Sequence, residues 1–466
     1  MNQDHLKAPS LAPGLKATHF QTGQATEVTG DGPAGPDAAT EEFLRAVTYG
    51  FYGPKPNAER MATKTQHFVA DGLRATVVKP DPAPTGPEAE YGLGENFPVG
   101  TFATFFGSYN AGKDVKADAS IDPFLPVVMC TDATVNPGYR RRGILRYMMT
   151  EAMLHGLENG CALAALTATE ATIYQRFGYG VASRQHRIKV NTGPGFQINT
   201  EEYGRVVAAD PAKIGDLADK IFATFHRNNP GSITRPADYR DRITGNYPKR
   251  DGTSKADALR AAIHISPDGE VDAYTVYEMV QKNSGFPDSI LIHDLVYNDV
   301  QAYLELWKFL GSLDLITSAT WGSAPVRDPL TMAMANPRDY QIKEQFDLTW
   351  VRVLDVPQAM AGRGYGADGA CTLEISDNTK ITEGAWELQV KDLQGTATKV
   401  ESINPEQPVL RMEAHVLASL YSGDVDLRTL LAAGTVTAAG KVDKETLDRL
   451  NAMFRLHRRP YSVTYF

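Results

Sequence analysis

Cysteine is scarce in this chain. Three occur in 466 residues, Cys130, Cys161 and Cys371, and no CxxC pair is among them. An odd, sparse set argues against a disulfide framework and against a zinc site. A reducing compartment is the simple reading. Basic charge is not in excess either, with 47 Lys and Arg against 56 Asp and Glu and a formal net charge of -9. Binding of nucleic-acid phosphates needs a basic footprint, so nucleic acid is not an expected partner. Cationic or neutral partners fit better. No apolar run approaches the roughly 20 residues of a membrane helix. The opening MNQDHLKAPSLAPGLKATHF has no apolar core of signal-peptide type. The expectation is a cytoplasmic chain without membrane contact. The ten histidines are scattered, and His155 with Glu158 has no second ligand pair. No metal is expected, and neither a Walker A motif nor a GxSxG elbow is found.

What is present falls into about three domains by length, at roughly 100–200 residues each. Residues 1–39 are rich in Pro, Gly, Ala and Thr and are expected to form a flexible leader. Order should begin at the helical stretch Glu41 to Phe51. Strand-like runs follow at Arg74 to Pro80, Val99 to Tyr109 and Phe124 to Val135. Ile144, Leu145, Met148, Met149, Ala152 and Met153 then repeat with helical spacing up to the stop at Asn159-Gly160. The apolar run Ala162 to Ala168 reads as a buried strand. Strand, helix and strand make a βαβ unit, whose strands should be parallel with a right-handed crossover.

A second unit begins at Asp210, a natural N-cap with Pro211 behind it. It includes a strand at Ser289 to Asp299, a helix from Val300 and the strand LITSATW. Asp294-Leu-Val-Tyr-Asn298 echoes Asp132-Ala-Thr-Val-Asn136 but runs straight into its helix. Duplication with loss of a loop explains the match, and so does chance over a few residues. The last region, 347–466, alternates strands and helices in an α+β pattern. Its Gly364-Tyr-Gly366-Ala-Asp-Gly369 matches GxGxxG, but a helix precedes it and a strand follows. A dinucleotide fingerprint needs the opposite order, so it reads as a turn.

The loop between Thr131 and the first long helix carries the chemistry. Arg140-Arg141-Arg142-Gly143-Ile144-Leu145 follows a strand and opens a helix. Free amides at a helix start carry partial positive charge. Gly143 lets an anion approach the backbone, and arginines add forked donors for phosphate oxygens. The alternative is a solvated basic cluster. Tyr174 lies just past the second strand, on the side of the arginine loop. A hydroxyl with pKa about 10 can protonate a departing thiolate of pKa about 8.5. Tyr174 can equally be a core tyrosine anchoring a short helix. Thr169 and Glu170 can bind a ligand or cap that helix. The chain ends Pro460-Tyr-Ser-Val-Thr-Tyr-Phe466 without a polar tail. A tied-down end would carry the terminal carboxylate into a partly apolar place, where a cation is expected to meet it.

VNPGYRRRGILRYMM and TATEATIYQRFGYG together resemble the GCN5-related N-acetyltransferases. More narrowly they resemble the Eis (enhanced intracellular survival) acetyltransferases of actinobacteria and related bacteria. Softer support comes from DPLTMAMANPRDY, WVRVLDVPQAM and the terminal aromatic. The resemblance spans roughly residues 41–466. It implies an α/β (α+β) chain with tandem acetyltransferase folds followed by a sterol-carrier-protein-like domain. The implied boundaries are 40–197 for the catalytic domain, 198–346 for a second one lacking the CoA loop, and 347–466 for the third. It further implies that the backbone of Ala133, Thr134 and Val135 holds the pantetheine arm of acetyl-CoA. The pyrophosphate would lie on Arg140, Arg141, Arg142, Gly143, Ile144, Leu145 and Arg146. Thr169 and Glu170 would line the cofactor slot, Tyr174 would be the general acid, and the Phe466 carboxylate the general base. Family members form hexamers and acetylate several amines on one aminoglycoside, so a homohexamer and a polycationic amine acceptor are expected. Two features depart from the family pattern: the leader is longer, and Thr169 stands where serine is common. The rival expectation is a non-catalytic binding protein that uses the lipid-carrier-like domain.

Overall fold

The computed structural model describes residues 7–25, 34–94, 97–247, 258–281 and 285–466. The described strands fall into three sheets. β1 (Leu15–Gln21) falls within the expected leader, and the expected first unit, 40–197, holds β2 (Arg74–Pro80), β3 (Gly100–Asn110), β4 (Phe124–Val135), β5 (Leu163–Thr167), β6 (Gly180–Val181) and β7 (Arg184–Asn191). Next come β8 (Arg205–Ala209), β9 (Leu259–Ile265), β10 (Val271–Val280), β11 (Ser289–Tyr297), β12 (Ser318–Pro325), β13 (Tyr340–Asp347) and β14 (Thr349–Val353). The last sheet uses β15 (Gly369–Ser376), β16 (Gly384–Lys391), β17 (Gln394–Val400), β18 (Val409–Glu413) and β19 (Val436–Ala439).

The sheet orders are β1-β2-β3-β4-β5-β14-β6, β13-β7-β12-β11-β10-β9-β8 and β17-β16-β15-β18-β19. The first two sheets exchange one strand each. β14 lies between β5 and β6, antiparallel to both, with Trp350 opposite Leu166 and Val181. β7 takes the corresponding place in the second sheet, between β12 and β13. Its inward side chains Ile188 and Val190 are fully buried there. The strand in LTWVRV, expected to open the last region, therefore belongs to the first sheet. Each exchanged strand is joined by ladder hydrogen bonds to residues far away in sequence, which no local pattern encodes.

The leader is a second correction. Residues 15–21 form an edge strand paired in register with β2, Ala17 opposite Val78 and His19 opposite Thr76. Composition averaged over 39 residues hid a seven-residue strand held by backbone hydrogen bonds. Residues 1–6 and 26–33 lie outside the described residues.

The βαβ unit forms as expected. β4 and β5 are parallel, and the helix Ile144–Glu158 crosses between them. Met148, Met149, Ala152 and Met153 face the sheet and are buried. On the other face, the first sheet and the third unit share one core, in which Val127, Leu163 and Val351 join Trp386, Leu417 and Tyr421. Arg352 of β14 reaches into the third unit and makes a buried ion pair with Asp377. The GxGxxG stretch leads into β15 as a turn.

Candidate active site

β4 is paired irregularly where the site begins. Thr101 and Ala103 of β3 face Thr134 and Thr131, so three steps on β4 match two on β3. This is a β-bulge at Asp132 and Ala133, and Asp132 takes a left-handed φ of 52°. The Thr101 hydroxyl pins it, 2.9 Å from the Asp132 carbonyl and 2.6 Å from the Thr134 hydroxyl. β4 and β5 pair only from Val127–Leu163 to Met129–Ala165 and then part. A cavity of about 240 Å³ fills the wedge.

Ala133, Thr169, Tyr174 and Phe466 line this cavity together with Asp132 and Thr167. Tyr174 is 8% exposed and packs edge-on against Tyr179 with ring centroids 6.4 Å apart. Burial pushes its phenol above the ordinary value, and the Thr169 hydroxyl beside it pulls the other way. Tyr174 therefore carries its proton at neutral pH. Burial also pushes the Cys130 thiol up to about 12, which leaves it unreactive.

Phe466 arrives on a tail tied down residue by residue. The Tyr461 N–H donates to the Pro230 carbonyl at 2.7 Å, and the Thr464 hydroxyl to that of Ile233 at 3.2 Å. The Gln185 side-chain amide donates to the Ser462 carbonyl. The Tyr465 N–H donates to the Tyr239 hydroxyl at 2.6 Å. The Phe466 ring then meets Phe105 edge-on at 6.0 Å. Among the described residues no cation pairs with its carboxylate. Among the described residues the partner is the Thr167 hydroxyl, which donates to a terminal oxygen. A neutral donor satisfies the carboxylate without neutralising it.

Phe466 and Asp132 also line a second cavity, of about 150 Å³, with Lys64, Asp71, Asp238 and Arg242. Burial pushes the Asp71 carboxyl up to about 6, against the opposing hydrogen bond from the Ala237 N–H. Burial raises Asp132 too, while Lys64 pulls it down. Asp238 is held by Arg242 at 2.5 Å.

The remaining expected residues lie elsewhere. Thr134 is bonded to Thr101, and Val135 ends β4, packed on the core under the long helix. Glu170 is the exposed residue before the helix Ala171–Tyr174 and makes no side-chain cap bond. Arg140, Arg141, Arg142 and Arg146 are exposed, whereas Ile144 is buried and Leu145 half-buried. They stand at the outer end of the wedge, past the turn Pro137–Tyr139. Gly143 has φ of 76° and leaves the start of the long helix without a side-chain cap. No atom lies within 4 Å of where its Cβ would be. No side-chain cap occupies the first-turn amides, so they remain as donors at this helix start. The Arg142 guanidinium rests over the Tyr139 ring at 4.8 Å. Sequence analysis missed Asp132 and Thr167. An aspartate inside a β-rich run is the one available signal for the first, since Asp is depleted in strands.

The acetyltransferase (GNAT) domain family matches residues 123–182 and again 231–353, and the sterol carrier protein domain family matches 356–463. An uncharacterized N-acetyltransferase of Streptomyces griseus is 28% identical over 376 residues, covering 77% of this chain and 88% of that protein. N-acetyltransferase Eis of Mycobacterium tuberculosis is 26% identical over 352 residues, covering 73% and 81%. The chain is an acetyltransferase with two GNAT domain matches, similar to the Eis N-acetyltransferases. In fold, the acetyltransferase is similar to Eis1 from Mycobacterium abscessus, with a TM-score of 0.70, 22% identity and coverage of 94% of this chain and all of that one. A probable N-acyltransferase from Enterococcus faecalis superposes with a TM-score of 0.73 at 16% identity, covering 97% of this chain and all of that one. The two acetyltransferase matches flank β7, and the second ends on the last residue of β14.

Proposed function

We propose that the enzyme transfers an acetyl group from acetyl-CoA to a primary amine, with Tyr174 as general acid and the Phe466 carboxylate as general base. One observation carries this: a tyrosine that keeps its proton and a terminal carboxylate without a paired cation line the same cavity. The bulge at Asp132 and Ala133, the hydroxyl of Thr169, the arginines 140–142 and 146 and the open amides behind Gly143 suit acetyl-CoA, which would supply the acetyl group. Ala133 to Val135 would hold its pantetheine arm and Glu170 would flank its slot. The Phe466 carboxylate takes the proton that an ammonium must lose before it can attack. The Tyr174 hydroxyl gives its proton to the departing thiolate.

The acceptor enters by the second cavity. Asp71, Asp132 and Asp238 there support a polycationic amine, such as an aminoglycoside acetylated at more than one site. A homohexamer accompanies this reading from the family resemblance, and a cytoplasmic location from the sparse cysteines and the composition of the sequence. The test is release of CoA thiol with acetyl-CoA and a panel of aminoglycosides, polyamines and lysine-type amines. Release with none of them, together with no acetyl-CoA binding, overturns the proposal in favour of a binding protein built on the sterol-carrier-like domain. Asp132 is the rival base, because it also lines both cavities. Asp132→Asn and deletion of Phe466 separate the two.

A further inference from the structure

The second sheet repeats the wedge of the first. β11 and β12 pair in parallel from Ser289–Ser318 to Ile292–Trp321 and then part. The crossover from Tyr297 to the helix Val300–Gly311 takes two residues, so there is no arginine loop here. Yet a cavity of about 840 Å³ lies at the open end of the wedge.

Its charge runs against that of the chain. Five cationic side chains line it, Lys116, Arg184, Arg327, Arg458 and Arg459, against two carboxylates. Both acids are engaged. Asp424 pairs with Arg184. Asp299 caps the helix, accepting from the Gln301 N–H at 2.7 Å. Among the described residues Arg458 donates to neutral oxygens, the Asn228 carbonyl and the Asn229 Oδ1, both at 3.2 Å. Arg459 stands near enough to Arg184 to oppose its charge. Among the described residues, Lys116, Arg327 and Arg459 form no ion pair. Asn298 also lines the cavity, and its Oδ1 is buried without a hydrogen-bond partner among the described residues.

We propose that this cleft binds a phosphorylated small molecule of nucleotide size. Forked guanidinium donors from three parts of the chain converge where phosphate oxygens would be met. The volume falls within the roughly 300–1,000 Å³ of small-molecule sites. The Asn298 Oδ1 can accept from a sugar hydroxyl or a base amino group, which inorganic phosphate lacks. Arg458 and Arg459 belong to the tail that ends at Phe466. A ligand held by them would steady that tail, a consequence that rests on Phe466 being the base.

The experiment is calorimetric titration of ADP into the full chain carrying Arg141→Glu and Arg142→Glu, at about 50 mM salt, where phosphate contacts are strong. Those changes reverse the charge of two of the four arginines at the first wedge and weaken any binding there. The expected result is one equivalent bound. Adding Arg327→Glu and Arg459→Glu should raise Kd at least about tenfold, and Arg327→Gln with Arg459→Gln should raise it less. Circular dichroism checks the fold of each variant. No heat with millimolar ADP, or a Kd indifferent to these charges, overturns the proposal. So does a change of sedimenting mass on charge reversal when the parent binds no ADP, since the cleft would then be a contact between chains. Each outcome is read from binding or mass, and acetyl transfer can succeed or fail independently.

Discussion

The hydroxyl of Thr167 donates a hydrogen bond to the terminal carboxylate of Phe466, although 299 positions separate them. The carboxylate is held by a neutral donor and not by a cation among the described residues. Deleting Phe466 should lower kcat by about 10²–10⁴-fold, the usual worth of general acid–base catalysis. Thermal stability should change little, because the tail is anchored upstream at Tyr461, Ser462 and Thr464. Steady-state rates and a melting curve check both points. Full activity in the deletion, with loss in Asp132→Asn, would move the base to Asp132.

Tyr174→Phe keeps the ring that packs on Tyr179 and removes only the hydroxyl. The expected outcome is a fall of about 10²-fold or more in kcat, with KM for the donor within a few-fold. A poorer leaving group than a thiolate should widen the loss. Equal loss with every donor would place Tyr174 in the packing alone.

Gly143→Ala forces a left-handed residue with a Cβ, at about 1–2 kcal/mol. Donor Kd should rise about tenfold while acceptor KM stays near its wild-type value. On the proposed reading, Arg142→Ala would remove a charge-assisted hydrogen bond to the donor's phosphates, worth about 1.5–3 kcal/mol, again on donor Kd. Equilibrium dialysis with acetyl-CoA separates these effects from turnover.

His226 lies between the first two sheets, bonded to the Ser108 hydroxyl at 2.9 Å and the Ser232 hydroxyl at 3.0 Å. Burial pushes it down to about 4. A folded-state value below the unfolded 6.5 favours the neutral ring, so its stabilisation is complete above pH 6.5. It is lost as pH falls towards 4. The loss should reach at most about 3 kcal/mol. Urea midpoints at pH 7 and 4.5 should converge in His226→Gln relative to the wild type.

Local chemistry was the legible part of this chain. The parallel pair around Ile144–Glu158 could be read because apolar spacing and the Asn159-Gly160 stop are properties of neighbouring residues. The arginine loop was visible for the same reason. The partner of β14 was not, because Trp350 meets Leu166 only across the fold. The bulge was hidden by its own mechanism: one extra residue at Asp132 leaves the β pattern of FLPVVMCTDATV intact while turning its backbone. The destination of Phe466 came from family resemblance, and its uncharged partner, Thr167, was in no pattern at all.

The reciprocal strand exchange gives the second acetyltransferase-like half a reason to persist. Because β7 and β14 each complete the other unit's sheet, neither half can be removed by a simple truncation. Removing everything after β13 would strip β5 and β6 of the strand between them and open a gap beside the Tyr174 wedge. A copy without a donor loop is then retained as an obligate structural partner.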